Sequence, residues 1–169
     1  MKETEGALFN TDDLIEVDRA MVGLLKARAA ESPTGRFRLC LHHSTSDAVQ
    51  EMIIAHCRGS YSRPHRHPGR SVSYKMIEGR MAVVLFDDAG GVVRTMRLGP
   101  PGGDRPFAFR LTSGGWYMPI GESDAAVFCE TLAGPNVEGQ ATEYATWAPA
   151  PADAEAAAAF LARLEAKLQ

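Results

Sequence analysis

Between Phe37 and Leu132 the sequence breaks repeatedly at glycine, proline and aspartate, and the pieces between the breaks are short and largely apolar. Phe37 to Leu41, Glu51 to Cys57, Ser73 to Ile77, Met81 to Phe86, Val92 to Leu98, Phe107 to Leu111, Trp116 to Pro119 and Ala125 to Leu132 read as strands. Asp47 to Gln50, Glu78-Gly79, Asp87 to Gly91, Gly99 to Asp104 and Ser113 to Gly115 read as the connections between them. Many short strands at this spacing predict an antiparallel sandwich or small barrel. Glu51 to Cys57 is apolar on both faces, as a strand inside such a body would be.

A helix is expected on either side. Thr11-Asp12-Asp13 can cap the first, after which Leu14, Val17, Met21, Leu24, Leu25 and Ala29 recur at helical spacing up to Ser32-Pro33-Thr34-Gly35. Asp153 can cap the second, which carries Ala157, Phe160, Leu161, Leu164 and Leu168. The expected organisation is one domain: a helical extension over 1–36, a β body over 37–136, and an irregular stretch with a helix over 137–169.

Acids and bases are mixed along the chain at a net charge of −3, and no basic face stands out, so no nucleic-acid partner is expected. The N-terminal Met-Lys-Glu-Thr-Glu-Gly lacks the apolar core of a signal peptide, and no apolar run approaches a membrane span. Cys40, Cys57 and Cys129 are far apart and odd in number, so they read as buried small hydrophobes and not as a disulfide framework. A reduced, cytoplasmic protein without a membrane partner is expected.

The chemistry concentrates between Gly59 and Gly79. His65 and His67 stand two apart, and in a strand that spacing puts both imidazoles on one face. Arg63 shares their parity and could hold an anionic substrate, whereas Arg66 and Lys75 should point outward. Val72, Tyr74 and Met76 alternate onto the face of the histidines, and Trp116 neighbours Tyr117. The interior therefore reads as apolar and aromatic with a His-His-Tyr edge, which suits either a small organic ligand or a plain core.

The spacing Gly59, five residues, His65-Arg-His67, then six residues from Val72 to Gly79 resembles the first cupin motif, G(X)5HxH(X)3–4E(X)6G. Further stretches resemble the WbuC-type cupin-fold metalloproteins: Leu41-His42, Asp47-Ala-Val-Gln50, Gly59-Ser-Tyr61, Arg63 to Pro68, Ile77-Glu-Gly-Arg80, Val84 to Asp88, Gly114-Gly-Trp116, Glu130, Gly134-Pro135 and Trp147-Ala-Pro149. The resemblance implies a mainly β, cupin (RmlC-like) antiparallel β-barrel or jelly roll with one metal in its mouth. It also implies a link, by gene context, to bacterial surface-polysaccharide synthesis. Two of the usual ligands are replaced. Val72 stands where the family has a glutamate, and Tyr117 where it has a histidine.

A metal site would then rest on His65, His67 and Tyr117 with a divalent Fe, Zn, Ni or Mn, since a bound cation favours the phenolate. Tyr117 and Glu130 are the expected proton-transfer groups, and Arg63, His42, Tyr74 and Trp116 the expected substrate contacts. His43 and His56 are weaker candidates beside His42. Three readings stay open. One is a metal-dependent enzyme acting on a sugar or similar metabolite. The second is a metal-free epimerase-like enzyme in which His is the base and Tyr the acid. The third is a non-catalytic cupin with a degenerate site. A homodimer is expected, with the two helices covering barrel edges.

Overall fold

The computed structural model describes residues 1–136 and 142–168. The expectation of an irregular stretch over 137–141 lies outside them. Among the described residues the strands are β1 (Lys2–Thr4), β2 (Ala7–Phe9), β3 (Arg36–Cys40), β4 (Val49–Cys57), β5 (His65–Arg66), β6 (Val72–Glu78), β7 (Met81–Phe86), β8 (Val92–Leu98), β9 (Ala108–Leu111), β10 (Trp116–Gly121), β11 (Ala125–Ala133) and β12 (Glu143–Tyr144). Two helices, α1 (Arg19–Glu31) and α2 (Ala154–Leu168), complete the elements. One sheet runs β1-β2-β3-β4-β11-β6-β9, the other β12-β5-β10-β7-β8. All neighbours are antiparallel except β2 and β3. The expected barrel is therefore corrected to two open facing sheets, mainly β with two helices.

The layers follow from alternation. The inner face of both sheets contributes Val72, Tyr74 and Met76, Met81 and Val83, Tyr117, and Phe128 and Leu132 to a shared core. The outer face of the first sheet buries Phe37, Leu39, Ile53, Ala55 and Val127 under Val22, Leu25 and Ala29 of α1. The outer face of the second buries Ala82, Val84, Met118 and Ile120 under Leu161 and Leu164 of α2. The helices thus lie over sheet faces, not over barrel edges. No helix among the described residues is long and apolar enough to cross a membrane.

The N-terminal 36 residues are not only helical. Ala7-Leu8-Phe9 forms β2 and pairs in parallel with β3, so the extension belongs to the sheet. The first helix also starts later than expected. Asp18 caps it, its carboxylate accepting from the Met21 N–H at 2.9 Å, and Leu14 is 80% exposed. Two aspartates and a threonine upstream offered an equally good cap by composition, but only Asp18 places Val22, Leu25 and Ala29 against the sheet. At Gly79 the turn into β7 has φ +75°, and a Cβ there would run into the Ala125 carbonyl, so glycine is required.

Candidate functional site in the interior cavity

Residues of both sheets line a cavity of about 920 Å³, large enough for a small organic molecule. Its wall includes Arg36, Arg38, His56, Arg63, His65, His67, Tyr74 and Glu130.

His65 sits on β5 between Tyr117 of β10 and Tyr144 of β12, its Cα partners on the two sides. The His65 and His67 ring centroids are 5.6 Å apart, as the shared parity requires. His65 Nδ1 lies 2.9 Å from the Arg63 carbonyl. A carbonyl only accepts, so Nδ1 carries the proton and Nε2 keeps its lone pair. His67 Nδ1 lies 3.4 Å from an Arg70 guanidinium nitrogen and 3.3 Å from Thr142 Oγ1. Arg70 only donates, so Nδ1 accepts and the proton stands on Nε2, which donates to the Tyr117 hydroxyl oxygen at 3.1 Å. Burial pushes His65 down to about 4. Burial, with the neighbouring His65 and Arg70, pushes His67 down to about 3. Both rings are neutral at neutral pH.

The fit of a divalent metal follows from this donor set. His65, His67 and Tyr117 do come together, but as a hydrogen-bonded group. Both His67 nitrogens are engaged, one of them with a guanidinium that repels a second cation. Val72, at the carboxylate position of the motif, is 2% exposed and offers no donor. Tyr117 is fully buried behind His67, and burial holds its phenol well above its usual range, against the phenolate a metal needs. Among the described residues no three His, Cys, Asp or Glu gather closely enough to hold an ion. These residues do not fit a tight divalent-metal site.

Glu130 is the carboxyl of the interior. It is buried on β11, with Met52 of β4 and Tyr74 of β6 as its Cα partners, and it lines the cavity. Burial pushes it up to about 7, against the opposing pull of the Arg38 charge and the Tyr74 hydroxyl. Tyr74 lies between Glu130 and Tyr117 as an electrostatic neighbour of both, and Tyr117 in turn meets His67 at 3.1 Å. Burial first, then the Glu130 charge, keeps Tyr74 well above its usual range.

The remaining expected contacts divide. Arg63 lines the cavity and donates from Nε to the Ala145 carbonyl at 2.9 Å. His42 stands on the cavity wall, edge-on to Phe9, with Nδ1 3.1 Å from the Glu51 N–H. His56 lines the cavity too, buried and pushed down to about 3 by burial and by Arg36. Trp116 is a correction. It alternates away from Tyr117 onto the outer face, where its indole N–H donates to Asp88 at 2.9 Å. The Arg66 guanidinium lies over the Trp116 ring at 4.3 Å and pairs with Glu143 at 2.7 Å, so Arg66 points outward as expected. Three residues of the site were missed: Arg36 and Arg38 on the wall, and Arg70 against His67. Arg70 shares the parity of Val72, a signal that was available.

A family model described as a domain of unknown function (DUF6016) matches residues 17–98. No curated protein matches. Among solved structures, oxalate oxidase in complex with the substrate analogue glycolate is similar at 14% identity and a TM-score of 0.52, over 80% of this chain and 73% of that one. A protein of Shewanella oneidensis is similar at 14% identity and a TM-score of 0.52, over 66% of this chain and 74% of that one. The fold is that of the cupins. The Cnp3 cupin domain of Schizosaccharomyces pombe gives a TM-score of 0.47 at 14% identity over 58% of this chain. The match spans 64% of that domain's chain, and 27% of the chain of a Lactobacillus farciminis oxalate decarboxylase. At these identities the likeness establishes the cupin fold and carries no activity across.

Proposed function

We propose that this cupin cavity binds a small organic metabolite and acts on it by proton transfer without a resident metal. Glu130 is the general acid or base. The carrying observation is its position: a buried carboxyl on the cavity wall, held near 7, where a group exchanges protons most effectively at neutral pH. From β3 it faces Arg38, from β6 Tyr74 and from β4 Met52. His65 presents its Nε2 lone pair to the ligand as a hydrogen-bond acceptor. Tyr117 touches no ligand in this reading. It acts through His67, accepting from Nε2 in the tautomer that Arg70 sets.

A sugar or related polyhydroxy compound is the proposed substrate class, supported by the WbuC-type resemblance of the stretches from Leu41 to Pro149. A homodimer belongs to the same proposal, with the end strands β8 and β9 and their exposed Val92, Val93 and Phe107 as its surface.

Two measurements test the reading. Elemental analysis of untagged protein is expected to find no stoichiometric Fe, Zn, Ni or Mn. Near-stoichiometric metal lost in His65→Ala would overturn the metal-free chemistry. Carboxyl titration by NMR is expected to place Glu130 near 7, and a value in the ordinary carboxylate range removes it as the acid–base group.

A further inference from the structure

The β3 strand reads Arg36-Phe37-Arg38-Leu39-Cys40, and α1 claims its apolar side. Phe37 and Leu39 are buried beneath the helix, so alternation turns Arg36 and Arg38 to the opposite face, which is the cavity wall. Arg63 reaches the same wall from the segment before β5. Three guanidinium groups thus converge on one chamber of a chain whose net charge is −3.

Their partners are few. Among the described residues Arg28, Arg58, Arg66, Arg97 and Arg105 are paired with carboxylates, and Arg36, Arg38 and Arg63 are not. Arg63 commits one nitrogen, Nε, to a carbonyl. The acids on the same wall are Glu130, which is close to half protonated at neutral pH, and Glu5 and Glu31, both exposed. Burial pulls Arg36 below its usual range, and the nearby Arg38 charge adds to it. Arg36 and Arg63 are half-buried and Arg38 is exposed, and the planar fork of a guanidinium matches the two oxygens of a carboxylate or phosphate.

We propose that Arg36, Arg38 and Arg63 form an anion subsite that holds the carboxylate or phosphate group of the ligand. This rests on the cavity being a ligand site, and not on proton transfer by Glu130. An anion there would neutralise Arg38, whose charge opposes the protonation of Glu130, so occupancy would also make Glu130 harder to ionise.

The test is calorimetric titration of the full chain at pH 7 with inorganic phosphate, glucose 1-phosphate, glucuronate and glucose. At least one charged probe is expected to bind roughly ten-fold or more tighter than glucose, with affinity falling as salt rises. Arg36→Gln and Arg38→Gln are each expected to weaken that binding roughly ten-fold, with circular dichroism unchanged. Tighter binding of glucuronate assigns the subsite to a carboxylate. Tighter binding of glucose 1-phosphate or inorganic phosphate assigns it to a phosphate. Glucose binding as well as its charged counterparts, no binding of any charged probe, or full affinity in both variants overturns the proposal. Glu130→Gln separates it from the catalytic reading, because that variant should keep the anion while losing proton transfer.

Discussion

Strands β3 and β6 face the same interior with opposite codes. On β6 the apolar Val72, Tyr74 and Met76 point in, and Ser73 and Lys75 point out. On β3 the apolar Phe37 and Leu39 point out, and the charged Arg36 and Arg38 turn to the cavity side, Arg36 half-buried and Arg38 exposed. The outer face of β3 is roofed by α1, whereas the outer face of β6 is in water. Alternation therefore specifies two faces of a strand and leaves open which one is interior. Hydrophobic burial goes wherever a partner layer exists, and the partner of β3 is a helix.

Three substitution experiments probe that contrast. The largest effect is expected from Leu39→Ala and Met76→Ala, each about 2–5 kcal/mol by urea unfolding. The two losses should match although one side chain points away from the cavity and the other faces inward. A near-neutral Leu39→Ala would mean that α1 is not holding β3.

A smaller effect is expected from Glu130→Gln, and it depends on pH. The folded value near 7 exceeds the ordinary 4.5, so the native state takes up a proton over that window. Native Glu130 therefore loses stability as pH rises from 4.5 through 7. The glutamine variant should equal the parent near pH 4.5 and exceed it by about 3 kcal/mol at pH 8. His56, His65 and His67 are depressed from 6.5 to about 3 to 4, so their contribution is present above 6.5 and lost as pH falls. Both proteins should weaken in acid, and the gap between variant and parent should open from pH 4.5 to 7 and stay constant above that. Parallel profiles would remove Glu130 from the interior.

The smallest stability effect belongs to Arg38→Gln and Lys75→Gln, each within about 0.5 kcal/mol. Only the first should raise the Glu130 titration, since the Arg38 charge opposes Glu130 protonation and Lys75 points to the other face of the sheet. Equal shifts from both would erase the distinction between the strands.

Much of this was legible in the sequence. The strands from Phe37 to Leu132 were bounded by turn residues whose chemistry is local, and the register from Gly59 to Gly79 pointed to the fold. His65 and His67 were read as sharing one face and both line the cavity, and Glu130, whose orientation the sequence left open, lines it too. What was not legible depends on tertiary partners. Nothing in Arg36 to Cys40 says that a helix will cover Phe37, so nothing there marked the arginines as cavity residues. β1 and β2 are three residues each and become strands because β3 lies beside them. Trp116 could have been placed correctly, because parity opposes it to Tyr117.

The two helices divide the molecule's obligations. Because α1 and α2 each cover part of the outward face of one sheet, two apolar cores hold the fold together outside the chamber. The chamber's polar wall is then largely released from structural duty. A lineage could exchange a ligating glutamate for Val72, or refit β3 with different charges, while the scaffold stays folded. Chemistry and architecture sit on separate faces of the same strands, so one can drift while the other is conserved by packing.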